Sequence, residues 1–312
     1  MRYRAVGRSG LKVSCLSLGG WTTYGESVRD QGLITAIVRR AFEVGVNYFD
    51  MADVYGRGEA ERRMGQVLGE LPRHRLVLSS KVFFPMSDDP NDRGLSRKHI
   101  HESIDATLKR LGTDYLDLYF AHRLDPAVRL EEIVRAFSDL VDRGKVLYWG
   151  TSEWPPESLT GAVEMARREG LHAPIVEQPQ YSLLYRRIER ELFPILDDTE
   201  LGLVVWSPLG QGLLTGKYDG GVAKGSRFDQ LPQFTRWLLT EDNLDKTRRM
   251  EAVAQDMDSS RAQLALAWVL SRRQIASAIM GATTLQQLEE NLAAAELELP
   301  PEVVESLDEI FR

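Results

Sequence analysis

The chain has 312 residues, 43% of them hydrophobic and 27% charged, the balance of an ordinary globular enzyme. A net charge of −7 and a pI near 5.4 argue against generic binding to nucleic acid or insertion among anionic lipids. Cys15 is the only cysteine, which excludes an intramolecular disulfide and fits a cytoplasmic setting.

Residues 3–7 and 11–14 flank the turn-like Arg8-Ser9-Gly10 and read as a β-hairpin. No apolar run follows Arg2, Arg4, Arg8 and Lys12, so no secretory leader is expected. The longest apolar runs, such as 201–206, fall far short of a bilayer span. From there strand-like runs alternate with longer amphipathic segments. The runs are Cys15–Gly20, Tyr48–Asp53, Leu76–Val82, Leu116–His122, Val146–Ser152, Ile175–Gln180, Leu203–Leu209 and Ser277–Thr283. Between them Ile34, Ile37, Val38 and Ala41 recur at helical spacing, as do Ile100, Ile104, Leu108 and Leu111, and Ile133, Phe137, Leu140 and Val141. Gly45, Gly112, Gly144 and Gly170 each fall where a helix should end. Eight strands alternating with helices after a hairpin imply one α/β domain over residues 1–312, a (β/α)8 TIM barrel. Two stretches, 85–94 and 210–240, break the rhythm and read as rim loops, the second carrying Phe228, Phe234 and Trp237.

In such barrels the chemistry sits where strands end. Those ends carry Asp50 and Tyr55, Lys81, His122, Thr151-Ser152-Glu153, Glu177-Gln178, Trp206-Ser207 and Thr283-Thr284. Taken singly, Asp50 is a hydrogen-bonded barrel acid, Lys81 a surface amine and His122 a satisfied core histidine. Taken together they are more. A lysine closing an apolar strand needs a counter-charge, and Asp50 on the neighbouring strand supplies one. Lys81 would lower the pKa of Tyr55 from its ordinary ~10, Asp50 would orient Lys81, and His122 would add a hydrogen bond. That set protonates an alkoxide better than it attacks an ester, so carbonyl reduction with a hydride-bearing cofactor is the expected chemistry. A rival is a barrel aldolase in which Lys81 forms a Schiff base.

Other chemistries lack their residues. No Gly-x-Gly-x-x-Gly follows a strand. Gln211 and Tyr218 spoil a P-loop around Gly216-Lys217, and Gly150 to Trp154 lacks the second glycine of a nucleophile elbow. His99 and His101 diverge on a helix, and no metal site is expected.

Asn47-Tyr48-Phe49-Asp50-x4-Tyr55-Gly56, Ser80-Lys81 and Asp117-Leu118-Tyr119-Phe120-Ala121-His122 resemble aldo-keto reductase signatures. Leu147-Tyr148-Trp149-Gly150-Thr151-Ser152, Trp206-Ser207-Pro208-Leu209, Gly216-Lys217-Tyr218 and Gly281-Ala282-Thr283 are similar to the branch holding the β-subunits of voltage-gated potassium channels and related bacterial reductases. The resemblance implies a catalytic tetrad of Asp50, Tyr55, Lys81 and His122. Channel subunits often carry asparagine at the position of His122, so the histidine favours a working reductase. The resemblance also implies NADP(H): Trp206 stacking on the nicotinamide, Ser152 and Gln178 on its carboxamide, and Trp21 and Asp50 beside it. It implies Ser207, Pro208, Leu209, Gly212 and Lys217 around the pyrophosphate, with Arg227, Thr283 and Gln287 near the 2′-phosphate and Gly281 among the other cofactor contacts. Glu290 and Asn291 would stand near adenine. Gly20 occupies a position where many relatives have threonine, so one hydroxyl contact to the cofactor would be missing. Loop position suggests a substrate pocket of Trp21, Tyr24, Tyr55, Phe83, Phe84, His122 and Trp154, suited to small apolar or aromatic aldehydes. Relatives form tetramers and larger rings, and an alternative role is a cofactor-sensing, channel β-subunit-like regulator with little turnover.

Overall fold

The computed structural model describes residues 1–312, apart from the side chain of Phe234, which lies outside the described residues. The hairpin pairs β1 (Tyr3–Ala5) with β2 (Lys12–Ser14), Tyr3 opposite Ser14. The barrel strands are β3 (Leu16–Gly19), β4 (Tyr48–Asp50), β5 (Val77–Val82), β6 (Leu116–Ala121), β7 (Val146–Thr151), β8 (Val176–Glu177), β9 (Gly202–Trp206) and β10 (Ile275–Met280). All neighbours are parallel, and β10 pairs with both β9 and β3, which closes the barrel. Helices α1 (Gln31–Glu43), α2 (Glu59–Leu68), α3 (Arg97–Leu111), α4 (Leu130–Asp142) and α5 (Pro156–Glu169) cross outside the first strands. After β8 come the short α6 (Arg187–Glu191) and α7 (Leu196–Thr199). After β9 come α8 (Arg227–Gln230), α9 (Pro232–Thr235), α10 (Glu241–Asp256) and α11 (Arg261–Ser271). Two final helices, α12 (Leu285–Ala293) and α13 (Pro301–Ile310), follow β10.

Strand alternation sorts the side chains into two layers. Phe49 and Met51 pack outward against helix residues such as Ile34, Ile37 and Ile100. Tyr48 points inward with Val77, Leu118, Phe120 and Val204. The hairpin residues Val6 and Val13 join that inner cluster, so the hairpin plugs the end of the barrel where the strands begin. At its turn Gly7 has φ of 56°, and a Cβ there would stand 2.3 Å from the Glu200 carbonyl oxygen; only glycine fits so close an approach.

The expected strands are all present, most of them shorter at their C-terminal ends than the apolar runs suggested. The run 175–180 pairs regularly only at Val176 and Glu177, and 203–209 leaves the ladder after Trp206. Chain just past the ladder still borrows its bonds: His122 N donates to Val82 O and Gln178 N to Thr151 O, at 3.1 and 2.8 Å. The side chains at the rim are thereby held by backbone without being inside strands. The expected helix-ending glycines all have positive φ; Gly112 and Gly170 cap α3 and α5 at 68° and 66°. The stretch 210–240 carries a 3-10 turn at Gly210–Thr215 along with α8 and α9, and Phe228 stacks on Tyr218 at 4.2 Å. Cys15 is buried in the core. Among the described residues no helix is long and apolar enough to cross a membrane.

Candidate active site

Lys81, on β5, is completely buried, and its ammonium donates to Asp50 Oδ2 at 2.6 Å, Met51 O at 2.7 Å and the Tyr55 hydroxyl oxygen at 3.1 Å. An ammonium has three N–H groups, and all three are spent. Asp50 ends β4 and is held in turn: its Oδ1 accepts from Ser79 Oγ at 2.8 Å and Gln178 Nε2 at 3.0 Å. Burial lowers the Lys81 pKa and Asp50 opposes that shift. Tyr55 begins the turn after β4 and is almost buried at 8% exposure, its ring 5.9 Å from that of His122. His122 follows β6, lies edge-to-face with Phe84 at 4.9 Å, and has a buried Nδ1 without a hydrogen-bond partner.

The electrostatics correct one expectation. Tyr55 is not tuned downward: burial first, then the Asp50 charge, pushes its pKa well above 10, with Arg123 opposing. The ammonium is already committed to a carboxylate, so the pair presents little net charge to the phenol. Burial, then the Lys81 and Arg123 cations, holds His122 well below 6.5, so it is a neutral imidazole with one N–H to give. The tyrosine oxygen accepts from Lys81, which leaves its own hydrogen to point elsewhere.

These residues sit at one end of a cavity of about 940 Å³, within the range of cofactor sites. Trp21, Asp50, Ser152, Gln178 and Trp206 line that end. Ser207, Pro208, Leu209, Gly212, Lys217, Arg227, Gly281, Thr283, Gln287, Glu290 and Asn291 line the rest of the cavity. Gln178 gives its amide to Asp50, and Ser152 Oγ donates to Gln178 O at 2.8 Å. Thr283 Oγ1 bonds Gln287 Oε1 at 2.8 Å.

Four expected site residues lie elsewhere. A Cβ on Gly20 would face Met64 Sδ at 3.3 Å and Ala60 Cβ at 3.4 Å, so a side chain there would enter the core rather than meet a cofactor. Tyr24 is buried and donates to Ala282 O at 3.3 Å. Phe83 packs on the outer core, since alternation past β5 turns Phe84 rather than Phe83 to the cavity. Trp154 lines a separate cavity of about 260 Å³ near α6, because the chain turns away from the barrel mouth at Pro155 and Pro156.

Two residues at strand ends proved more engaged than their positions suggested. Glu153, at φ of 57°, accepts from Trp206 Nε1 at 3.0 Å and from Gln180 N, and pairs with Arg187 at 3.3 Å. It fixes the indole, which also meets Trp21 edge-to-face at 5.7 Å. Glu153→Ala should therefore loosen Trp206 and weaken binding of the expected dinucleotide about tenfold, the worth of one charge-assisted bond. Glu153→Gln, which can still accept, should restore most of it; fluorescence titration of the three proteins reads the difference. The other is Arg123, which shares the wall with His122 and Ser152.

Behind the tetrad lies a buried acid network. Asp53 Oδ2 accepts from Ser103 Oγ at 3.1 Å, and Ser103 Oγ accepts from Tyr119 OH at 3.1 Å. Burial, then Glu61, raises Asp53 from 3.8 to about 8. The native state thus binds a proton that the unfolded chain releases. Its stabilisation is complete below about 3.8 and is lost as pH rises toward about 8. Asp53→Asn should remove that loss, so its melting temperature relative to wild type should climb through this window. A parallel pH–melting series checks it.

Among the described residues no three His, Cys, Asp or Glu side chains converge to hold a metal. The family model for the aldo/keto reductases matches residues 15–312. A putative voltage-gated potassium channel subunit beta of Schizosaccharomyces pombe is 42% identical over 319 residues, covering 99% of this chain and 93% of that protein. Probable voltage-gated potassium channel β-subunits of Oryza sativa subsp. japonica and Arabidopsis thaliana are 42% and 41% identical over 320 residues, each alignment covering 100% of this chain and 97% of the relative. With the family match spanning nearly the whole barrel and these relatives alignable from end to end, the chain belongs to the aldo/keto reductase family of oxidoreductases.

Proposed function

We propose that this protein reduces aldehydes and ketones to alcohols with NADPH. The observation that carries the reading is the Lys81 ammonium bridging Asp50 and the Tyr55 hydroxyl at one end of a dinucleotide-sized cavity. The part of the lining that carries Arg227 and Lys217 fits a phosphate-bearing cofactor. Burial lowers both pKa values, and each is paired with no carboxylate among the described residues. Arg227 Nη1 makes only a neutral bond, to Gln211 Oε1 at 3.1 Å. Cations held together out of water are costly, and an added phosphate would relieve that cost with charge-assisted bonds. Trp206 and Trp21 would flank the nicotinamide. NADPH bound there would supply a hydride from the nicotinamide C4.

The side chains then have distinct tasks. The neutral His122 donates a hydrogen bond to the carbonyl oxygen and leaves Tyr55 to deliver the proton. Phenol is ordinarily a stronger acid than an alcohol, and the alkoxide that takes the proton develops in the same buried site. Lys81 steadies the tyrosine oxygen as it becomes anionic. Asp50 keeps the ammonium charged and oriented.

Tryptophan-fluorescence titration with NADPH and NADH, followed by a panel of small aldehydes in the same cuvette, tests the reading. NADPH preference with aldehyde-dependent oxidation supports it; failure to bind either nucleotide refutes it. Arg227→Ala should weaken NADPH about tenfold and NADH much less. A second reading is favoured by the channel β-subunit names of the relatives: a cofactor-sensing regulator, marked by tight NADPH retention with negligible turnover. Assembly into tetramers or larger rings belongs to the same proposal, and light scattering reads it.

A further inference from the structure

Arg123 is the residue after His122, and it lines the catalytic end of the cavity with Tyr55, Phe84 and Ser152. Its Nη1 donates to the His122 carbonyl and, at 3.3 Å, to Ser152 Oγ. Its guanidinium carbon stands 5.6 Å from the centroid of the Phe84 ring, whose edge meets His122. Those bonds use one nitrogen of a guanidinium that offers three. Two part-buried arginines outside the cavity are paired with acids, Arg110 with Glu61 and Arg73 with Asp117. Among the described residues Arg123 has no carboxylate at ion-pair distance. Of the acids lining the cavity, Asp50 is taken by Lys81, and Glu26 Oε1 accepts from the Gly56 N–H at 2.9 Å.

A half-buried, uncompensated guanidinium is an anion site in waiting. The field of Arg123 also reaches the reacting groups, since it bears on Tyr55, Lys81 and His122. The hydrogen-bond ties of Arg123 differ from those of Arg227 in the phosphate-facing pair. Arg123 is tied to Ser152, which connects through Gln178 to Asp50, whereas Arg227 is tied to Gln211 beyond Ser207. A dinucleotide whose phosphates meet Lys217 and Arg227 would leave Arg123 unmatched.

We propose, resting on the reductase reading, that the preferred substrates are aldehydes bearing a carboxylate, which Arg123 receives while the carbonyl oxygen meets Tyr55 and His122. Phe84, Trp21 and Trp206 supply apolar walls for the spacer between the two groups. The bond changes are those of the reduction. A C–H bond forms at the carbonyl carbon from the cofactor's hydride, the oxygen takes the Tyr55 proton, the aldehyde is reduced and the dinucleotide oxidised. Neutral aromatic aldehydes would turn over as poorer substrates.

The test compares para-carboxybenzaldehyde with its methyl ester in the wild type, Arg123→Gln and Arg123→Lys, at saturating NADPH. The wild type should favour the acid. Arg123→Gln should cost the acid about 10- to 100-fold in kcat/KM, mostly through KM, the worth of a charge-assisted contact. The ester should lose much less, and Arg123→Lys should recover part of the acid's loss. Equal losses for acid and ester, or a wild type that favours the ester, would overturn the proposal. A second arm needs no turnover: ligand-observed NMR of benzoate against benzamide with the NADPH-loaded protein. Benzoate binding that Arg123→Gln weakens about tenfold upholds the site even if no aldehyde is reduced, in which case the reductase reading alone falls. Benzoate binding no better than benzamide overturns the site.

Discussion

Tyr55→Phe removes the proposed proton donor and should lower kcat for aldehyde reduction by about 10²- to 10⁴-fold, the usual worth of a positioned general acid. The loss should be selective. Tyr55 makes one side-chain hydrogen bond, as acceptor from Lys81 at 3.1 Å, so the phenyl ring keeps the packing against Ala52 and Ala60. NADPH affinity should change little, because the expected dinucleotide contacts are carried by the other walls of the cavity. Stopped-flow oxidation of bound NADPH, run beside equilibrium titration, separates the two quantities. Turnover surviving within tenfold of wild type would remove Tyr55 from the acid role.

Lys81→Met should be worse for the protein as well as for the reaction. It leaves Asp50, only 3% exposed, as a buried charge without its counter-ion. Breaking a buried pair from one side costs about 3–5 kcal/mol. A 312-residue chain would lose several degrees of melting temperature on that account. The double variant Asp50→Asn/Lys81→Met removes both charges and should regain much of the stability, yet it should stay inactive. That divergence distinguishes a structural ion pair from a catalytic one: if the double variant recovers turnover with stability, the pair only supports the fold. In the wild type, burial places the Lys81 pKa below 10.5. Activity should fall on the alkaline side as the ammonium is lost, at a lower pH than a free lysine would give.

The barrel was readable because its signals are local and repeated. Apolar runs of strand length, helix faces at three- and four-residue spacing, and glycines at positive φ needed no tertiary information. The Lys81–Asp50 pair was readable for a further reason: a lysine closing an apolar strand demands a carboxylate, and alternation placed Asp50 on the inner face next door. The loops were less so. Tyr24, Phe83 and Trp154 are aromatic residues near the mouth in sequence, but which way each turns depends on the neighbours it meets. Tyr24 reaches Ala282, and Trp154 follows the chain away from the cavity. The direction in which a Cβ on Gly20 would point was hidden for the same reason, since the local backbone aims it at Met64 and Ala60.

Electrostatic sign was the other weak point. Lys81 next to Tyr55 suggested a lowered phenol pKa, but burial acts on both groups and Asp50 already neutralises the ammonium. The tie from Glu153 to Trp206 spans 53 positions and joins the ends of β7 and β9, with β8 between them. Nothing in the local pattern announces such a contact. Arg123 was adjacent to a residue already singled out, and its significance lies in the partner it lacks.

The most direct measurement is isotope transfer. The protein is mixed with NADPH deuterated at the nicotinamide C4 and a small aldehyde, and the product is examined by mass spectrometry and NMR. The expected result is an alcohol carrying deuterium on the former carbonyl carbon, formed by the wild type and nearly absent with Tyr55→Phe. No deuterated alcohol, together with borohydride-trapped aldehyde on Lys81, would contradict the reductase assignment and point to Schiff-base chemistry at the same lysine.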